Sequence, residues 1–524
     1  MGLIDLAKAF DTVPREKLFK KVGKAGVRGK MLRVIKELYT NNRATVRIGN
    51  LETKSFAINS GVMQGSKLGP ILFNIYINDL LEQLQASKLG VKMVYITVSS
   101  LGFADDILLI ADDPSKLQAL LDICGNWSKQ HDMPFNIKKC KVLVLNACQK
   151  GLSFRLTGQI LELVKETKYL GVIFSRSRLT SLYGKHLAKV LEKAEVRANA
   201  IRHTGFHRDG LRPETSVGMY KALVRPILEY AAEVISYKHY YFTERTCTAV
   251  EEPPEMLKRI ENLQNRILKK LICCPKNTPP AVVRILTGVM PMSARIDMLK
   301  LRYFWKLHHA QNDNIAHVVY KGLRKNFLRG SVGYVHEIFN ICCKYDRMDI
   351  WHGIVSNTVA LKVNPLARIK RMVQTYHLKK DLGTARKSTC LYATLRVFKD
   401  KKYMFEPWLK HIGRFYSTDH RRTFLYSILD VSNFNRVCRN CGSTTVRDMV
   451  QHGLNDCLGI ERQKRIFQML MNFYNAPQDI DLTKKTEVFR AALRKKSLLK
   501  VVCDFLLQIW NIGEKGGKVP ISLI

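Results

Sequence analysis

The sequence predicts an α+β fold, and three observations carry that expectation. Short apolar runs of strand character end or bend at carboxylates up to about residue 175. A glycine-rich loop containing Pro70 opens an apolar-periodic, helix-like stretch between those acidic elements. Beyond residue 175 the patterning is mostly helical.

The first acidic element is Leu3-Ile4-Asp5, a short apolar run closed by Asp5 and followed by Leu6-Ala7-Lys8-Ala9-Phe10-Asp11. Next comes Asn59-Ser60-Gly61-Val62-Met63-Gln64-Gly65-Ser66-Lys67-Leu68-Gly69-Pro70, ahead of the periodic run Ile71 to Leu80. Glycines there let backbone approach a ligand, free N–H groups at a helix start attract phosphate, and Gln64 is the side chain best placed to meet a nucleotide. A plain structural loop accounts for the same glycines when they are viewed alone. The most informative element is Phe103-Ala104-Asp105-Asp106, set between Leu101-Gly102 and Ile107-Leu108-Leu109-Ile110. Two adjacent carboxylates in so apolar a stretch cost several kcal/mol unless compensated, and a divalent cation compensates them. The plainer alternative is a surface hairpin with an acidic turn. If Asp5 closes one strand and Asp105-Asp106 sits at the bend of a neighbouring hairpin, three carboxylates meet around two metal ions about 3.5–4 Å apart. That layout serves in-line phosphoryl or nucleotidyl transfer with no activated Ser, Cys or His.

Composition narrows the class. The 524 residues, 46% of them hydrophobic, suffice for several domains with proper cores. The 86 Lys plus Arg against 44 Asp plus Glu leave a formal charge of +42, which points to a polyanionic partner. Nucleic acid is favoured over an anionic membrane, because no run of about 18 apolar residues and no secretory leader is apparent. An intracellular chain, nuclear or cytoplasmic, is therefore expected, and Arg368-Ile369-Lys370-Arg371 reads as a surface basic cluster or part of a nuclear signal. The 13 cysteines show no small secreted disulfide pattern. One cluster stands apart: Cys438, Cys441, His452 and Cys457, spaced C-x2-C-x10-H-x4-C, offer a complete tetrahedral zinc set of structural type.

Two further segments complete a succession: Asn136-Ile137-Lys138-Lys139-Cys140-Lys141 and Lys168-Tyr169-Leu170-Gly171-Val172. Acid-bearing strand, Gly-Gln loop with its helix, Ala-Asp-Asp hairpin and these two segments together resemble the reverse transcriptase palm, most closely that of LINE-type (non-LTR) retrotransposons. Val224 to Glu233 and Ile260 to Leu271 resemble the helical region that follows the palm in those elements, so the likeness covers roughly residues 3 to 310. The resemblance implies an RNA-directed DNA polymerase acting on an RNA template and DNA primer with deoxynucleoside triphosphates. It implies magnesium held by Asp5, Asp105 and Asp106, and a sugar-excluding ring at Phe10. Gln64 and Gly65 would contact nucleotide and template, and Lys139 would assist pyrophosphate departure. It further implies a palm over 1–175 lacking most of the fingers, a helical thumb-like region over 176–310, a helical region of unknown role over 311–430, a CCHC zinc knuckle over 431–460 and a C-terminal helical segment over 461–524.

Met63 stands where the family has proline and Gly69 where it has serine. With Met1 just ahead of Asp5, the fingers and any endonuclease are expected to be missing, as in an N-terminally truncated element. The competing expectation is a non-catalytic nucleic-acid-binding remnant of such an element. A nuclease using the same carboxylates is disfavoured by the Gly-Gln loop between them.

Overall fold

The computed structural model describes residues 1–388, less short breaks and the segments 177–182, 204–212, 237–241, 248–254 and 352–365, together with scattered positions between 464 and 505. It divides into two compact units, one of residues 1–187 with 309–331, the other of residues 188–308 with 332–524.

The first unit mixes strands and helices, as expected. Its strands are β1 (Gly2–Asp5), β2 (Val91–Lys92), β3 (Thr97–Val98), β4 (Ser100–Phe103), β5 (Asp106–Leu109), β6 (Lys141–Leu143), β7 (Glu162–Val164), β8 (Glu166–Tyr169) and β9 (Val172–Ser175). Its principal helices are α1 (Arg15–Lys24), α2 (Gly29–Leu38), α3 (Gly69–Ala86) and α4 (Pro114–His131). A five-stranded sheet runs in the order β7-β6-β1-β5-β4, antiparallel throughout except for the β6–β7 pair. The first strand in sequence is thus the central one, hydrogen-bonded on both edges.

Burial follows the sequence periods. Along β1, Gly2 and Ile4 face the core while Leu3 and Asp5 are half-buried on the other face, the period-two signature of a strand. Helix α3 buries Leu72, Phe73, Tyr76, Ile77, Leu80 and Leu84, an i, i+3, i+4 stripe, and Pro70 sits in its first turn as its missing N–H allows. Helix α4 starts with Asp113 accepting a 2.8 Å hydrogen bond from the Ser115 amide, and Asp132 ends it with φ 53°. Leu117, Leu120, Leu121, Cys124 and Trp127 on its inner face join the same core as Ile107 and Leu109 of β5.

Behind the sheet, α1, α3 and α4 are joined by a polar cluster. Lys21 Nζ donates to the Tyr76 carbonyl at 2.7 Å and to Asp79 at 2.8 Å, and lies 4.2 Å from the Tyr76 ring centroid. Asp79 also accepts from Trp127 Nε1 at 3.0 Å and pairs with His131 Nε2 at 3.1 Å. Burial lowers the Lys21 pKa, with Asp79 opposing that shift.

The described part of the second unit is chiefly helical. Its helix α5 (Glu255–Leu271) carries the segment resembling the post-palm region. Ile260, Leu263, Gln264, Ile267, Leu268 and Leu271 are buried on one face. Gln264 is satisfied there by the Tyr220 hydroxyl at 2.6 Å and by the Met290 carbonyl at 3.0 Å. The other segment, Val224 to Glu233, departs from a regular helix. A π-helical turn, Tyr220–Val224, leads into the short helix Arg225–Glu229, and Ala231 has φ 58°. Pro226 supplies a cause, since it has no N–H for the preceding turn. The cluster Cys438, Cys441, His452 and Cys457 lies outside the described residues.

Asp79→Ala removes the acceptor shared by a half-buried lysine, an indole and an imidazole. A loss of about 2–3 kcal/mol is expected. Urea unfolding followed by Trp fluorescence checks it, and an unchanged midpoint would show that the cluster does not support the fold.

Candidate active site

The register of β1 against β5 sets Ile4 opposite Ile107 and Asp5 opposite Asp106. Directly opposed residues in an antiparallel pair have Cβ atoms about 4.5–5.5 Å apart, and like charges there repel. Asp105 lies in the two-residue turn that closes β4 on β5, beyond the last pair Phe103–Asp106. That tight connection needs a left-handed residue, and Ala104 supplies it at φ 52°.

Lys139 joins this group from the segment before β6. The Asn136 amide donates to the Asp5 carbonyl at 2.8 Å, and the Lys139 amide turns back onto the Asn136 carbonyl at 2.9 Å. That turn brings Lys139 Nζ to 3.4 Å from both carboxylate oxygens of Asp5. Asp5 Oδ1 is nevertheless sealed from solvent with no hydrogen-bond partner among the described residues. Burial, then the charges of Asp105 and Asp5, raise the Asp106 carboxyl above its ordinary pKa, and Lys139 opposes them. Four of the residues singled out in the sequence are therefore within one another's electrostatic reach. Among the described residues no three carboxylate, imidazole or thiol side chains converge tightly enough to form a finished metal site. Mutual repulsion of three carboxylates is reason enough for a looser set.

The remaining predicted residues gather at the glycine loop. Gly61 N donates to the Val13 carbonyl at 2.9 Å and Val62 N to the Phe10 carbonyl at 2.7 Å, which lays the loop along the chain that leaves β1. Only glycine suits position 61, with φ 83° and the Phe10 and Asp11 carbonyl oxygens 2.7 Å from where a Cβ would stand. Gln64 Nε2 donates to Asp11 Oδ1 at 2.9 Å, and Gly65, at φ 82°, has open space around it. The Phe10 ring stacks on Phe73, with centroids 4.7 Å apart and planes at 18°. The two departures from the family pattern prove to be neighbours. A Cβ on residue 69 would stand 2.4 Å from the Met63 carbonyl oxygen, so this loop path requires Gly69.

Three residues of the site were not singled out from sequence. Arg15 donates to the carbonyls of Tyr39 at 2.8 Å, Ile58 at 2.7 Å, Ser60 at 3.2 Å and Gly61 at 3.1 Å, fastening the glycine loop to α1. Cys140 accepts from the Asp5 amide at 3.4 Å, and burial pushes its thiol up to about 11. Tyr169, in the motif before Gly171, donates to the Leu101 carbonyl at 3.4 Å, and its hydroxyl pKa is raised by burial and then by the Asp106 charge. Tyr169 and Cys140 each had a signal, a place in a quoted motif, and Arg15 had none.

Residues 1–174 match the family model described as reverse transcriptase (RNA-dependent DNA polymerase). The RNA-directed DNA polymerase from mobile element jockey of Drosophila funebris is 28% identical over 279 residues, covering 52% of this chain and 28% of that one. A Pol polyprotein from the type-1 retrotransposable element R2 of Popillia japonica is 28% identical over 210 residues, covering 37% of this chain and 34% of its own length. A solved telomerase from Candida albicans, at 12% identity, covers 65% of this chain and 50% of that one with a TM-score of 0.30, too slight a likeness to support an argument. The chain thus spans about a third or less of the length of the two relatives, and residues 1–174 carry a reverse transcriptase domain of the LINE-type (non-LTR) retrotransposon kind.

Proposed function

We propose that this chain is an RNA-directed DNA polymerase that extends a DNA primer on an RNA template with deoxynucleoside triphosphates. The observation that carries the reading is the placement of Asp5 opposite Asp106, with Asp105 in the adjoining turn and one solvent-sealed oxygen of Asp5 accepting no hydrogen bond among the described residues. A buried carboxylate oxygen that accepts no hydrogen bond, beside two more carboxylates, is the donor set a hard divalent cation takes. Asp5, Asp105 and Asp106 would hold two magnesium ions, which supply acidification of the primer 3′-hydroxyl and charge neutralisation on the departing pyrophosphate.

The remaining roles belong to the chain's own groups. Lys139 would give a proton or positive charge to the leaving pyrophosphate from its seat beside Asp5. Phe10, braced by Phe73, would close the sugar pocket against a 2′-hydroxyl. Gln64 and Gly65 would meet the nucleotide and template from a loop held by Arg15. Residues 1–175 would serve as palm and 176–310 as a thumb whose lysines hold duplex phosphates without sequence preference. A structural zinc at Cys438, Cys441, His452 and Cys457 is proposed on their spacing. Among the described residues no helix is long and apolar enough to cross a membrane.

Primer extension on poly(rA)·oligo(dT) with magnesium tests the function. Extension that falls at least about 100-fold in Asp105→Asn, with template still bound, is the expected result. No extension by the unaltered chain, again with template bound, would favour a non-catalytic nucleic-acid-binding remnant. Degradation of the template would point instead to a nuclease.

The raised Asp106 carboxyl gives a second test, read without catalysis. In metal-free buffer the folded chain holds a proton on Asp106 to higher pH than the unfolded chain does. Its contribution to stability is therefore complete below the ordinary Asp pKa and is lost as pH rises through the raised folded value. Asp106→Asn should flatten the fall in urea midpoint that sets in as pH rises past the ordinary Asp pKa. An equally steep fall in the variant would show that Asp106 does not carry the strain.

A further inference from the structure

Away from the carboxylates, the first unit holds a groove of about 680 Å³ lined by Tyr95, Val318, Lys321, Arg324, Lys325 and Leu328. One wall is the connection between β2 and β3, where Tyr95 is 57% exposed. The other is the helix Ile315–Leu328. Lys321, Arg324 and Lys325 stand at i, i+3 and i+4, so their stems leave one helical face with Cβ atoms about 5–6 Å apart. Arg324 is hydrogen-bonded to the hydroxyl of the buried Tyr320, which fixes the root of its guanidinium. Lys325 Nζ lies 5.3 Å from the Tyr95 ring centroid and so props an aromatic ring that solvent would otherwise leave mobile. Val318 and Leu328 make the groove apolar between its cations, and no lining residue is acidic.

Cations in a row, an exposed ring with a face to offer and apolar walls between them suit a ligand that alternates phosphates with flat bases. Single-stranded nucleic acid has that chemistry: phosphates track the cations and bases stack on aromatic rings. A duplex keeps its base faces stacked inside and leaves Tyr95 no partner. We propose that this groove docks a single-stranded stretch of RNA, with a base stacked on Tyr95 and phosphates on Lys321, Arg324 and Lys325. The choice of RNA rests on the RNA-templated reading above, since the template is the strand such an enzyme must hold outside the paired region.

The test uses the full chain and a fluorescently labelled oligo(U), with anisotropy read across a salt series. Tyr95→Leu should weaken binding roughly tenfold, the scale of one lost base stack. Lys321→Gln combined with Lys325→Gln should lower the slope of log K against log salt by about 1.4, at about 0.7 per phosphate contact on a single strand. Lys20→Gln combined with Lys30→Gln, two exposed lysines elsewhere, should leave affinity and slope unchanged. Crosslinking with 4-thiouridine RNA should label the peptide that contains Tyr95. Thermal unfolding of each variant at the wild-type temperature certifies its fold, and all these variants alter exposed or half-exposed side chains.

Unchanged affinity and slope in the Tyr95 and Lys321/Lys325 variants would overturn the proposal. So would tighter binding of oligo(dT) than of oligo(U) through the same residues, or displacement of the RNA from the groove by phosphatidylserine vesicles at equal charge. Because binding is read without turnover, failure of the polymerase reading shows in primer extension, while failure of the groove shows here alone.

Discussion

Everything at the candidate site depends on the pairing of one four-residue strand. β1 is the first strand in the chain and the middle strand of the sheet, and its register against β5 brings Asp5 and Asp106 face to face. A slip of one residue would turn Asp5 into the core and Ile4 toward solvent, so burial of Ile4 and Ile107 locks the carboxylates in opposition. The apolar half of the pairing thus holds together what the charged half pushes apart. Arranging like charge this way costs stability unless something of opposite charge offsets it.

Support for that arrangement comes from groups remote in sequence. The amide of Asp5 is met by Cys140 and its carbonyl by the amide of Asn136, so the segment carrying Lys139 is tied to the strand carrying the aspartate. Arg15 does the corresponding work for the glycine loop, giving one guanidinium to four carbonyls that would otherwise crowd one another. Gly69 lets the Met63 carbonyl pack against the start of α3, so the loop's altered sequence still has a continuous path. These contacts place the loop's Gln64 on Asp11, on the short stretch that follows β1.

How much of this was legible in the sequence differs from residue to residue. Asp5, Asp105 and Asp106 were legible because carboxylates within apolar runs break a pattern that burial enforces. Pro70 and the periodic stretch after it announced α3 for a local reason, the fixed φ and missing N–H of proline. Arg15 was not legible, and Cys140 only by its place in a quoted motif, since an arginine among many lysines and a lone thiol acquire meaning only when distant carbonyls and amides arrive beside them. The π-helical turn at Tyr220–Val224 was likewise hidden, because the periodic pattern there reads as an ordinary helix and only Pro226 hints at the disturbance. Residues beyond 388 are described at scattered positions alone, and the cysteine and histidine spacing there stands on sequence.

Asp5, Asp105 and Asp106 are proposed to form one cation-binding set. Manganese binding followed by electron paramagnetic resonance, on the full chain without nucleic acid, addresses it most directly. The chain should deplete the free-manganese signal saturably, and Asp5→Asn and Asp106→Asn should each weaken that binding by tenfold or more. Equal binding by the chain and both variants would place the cation elsewhere and rule out the set.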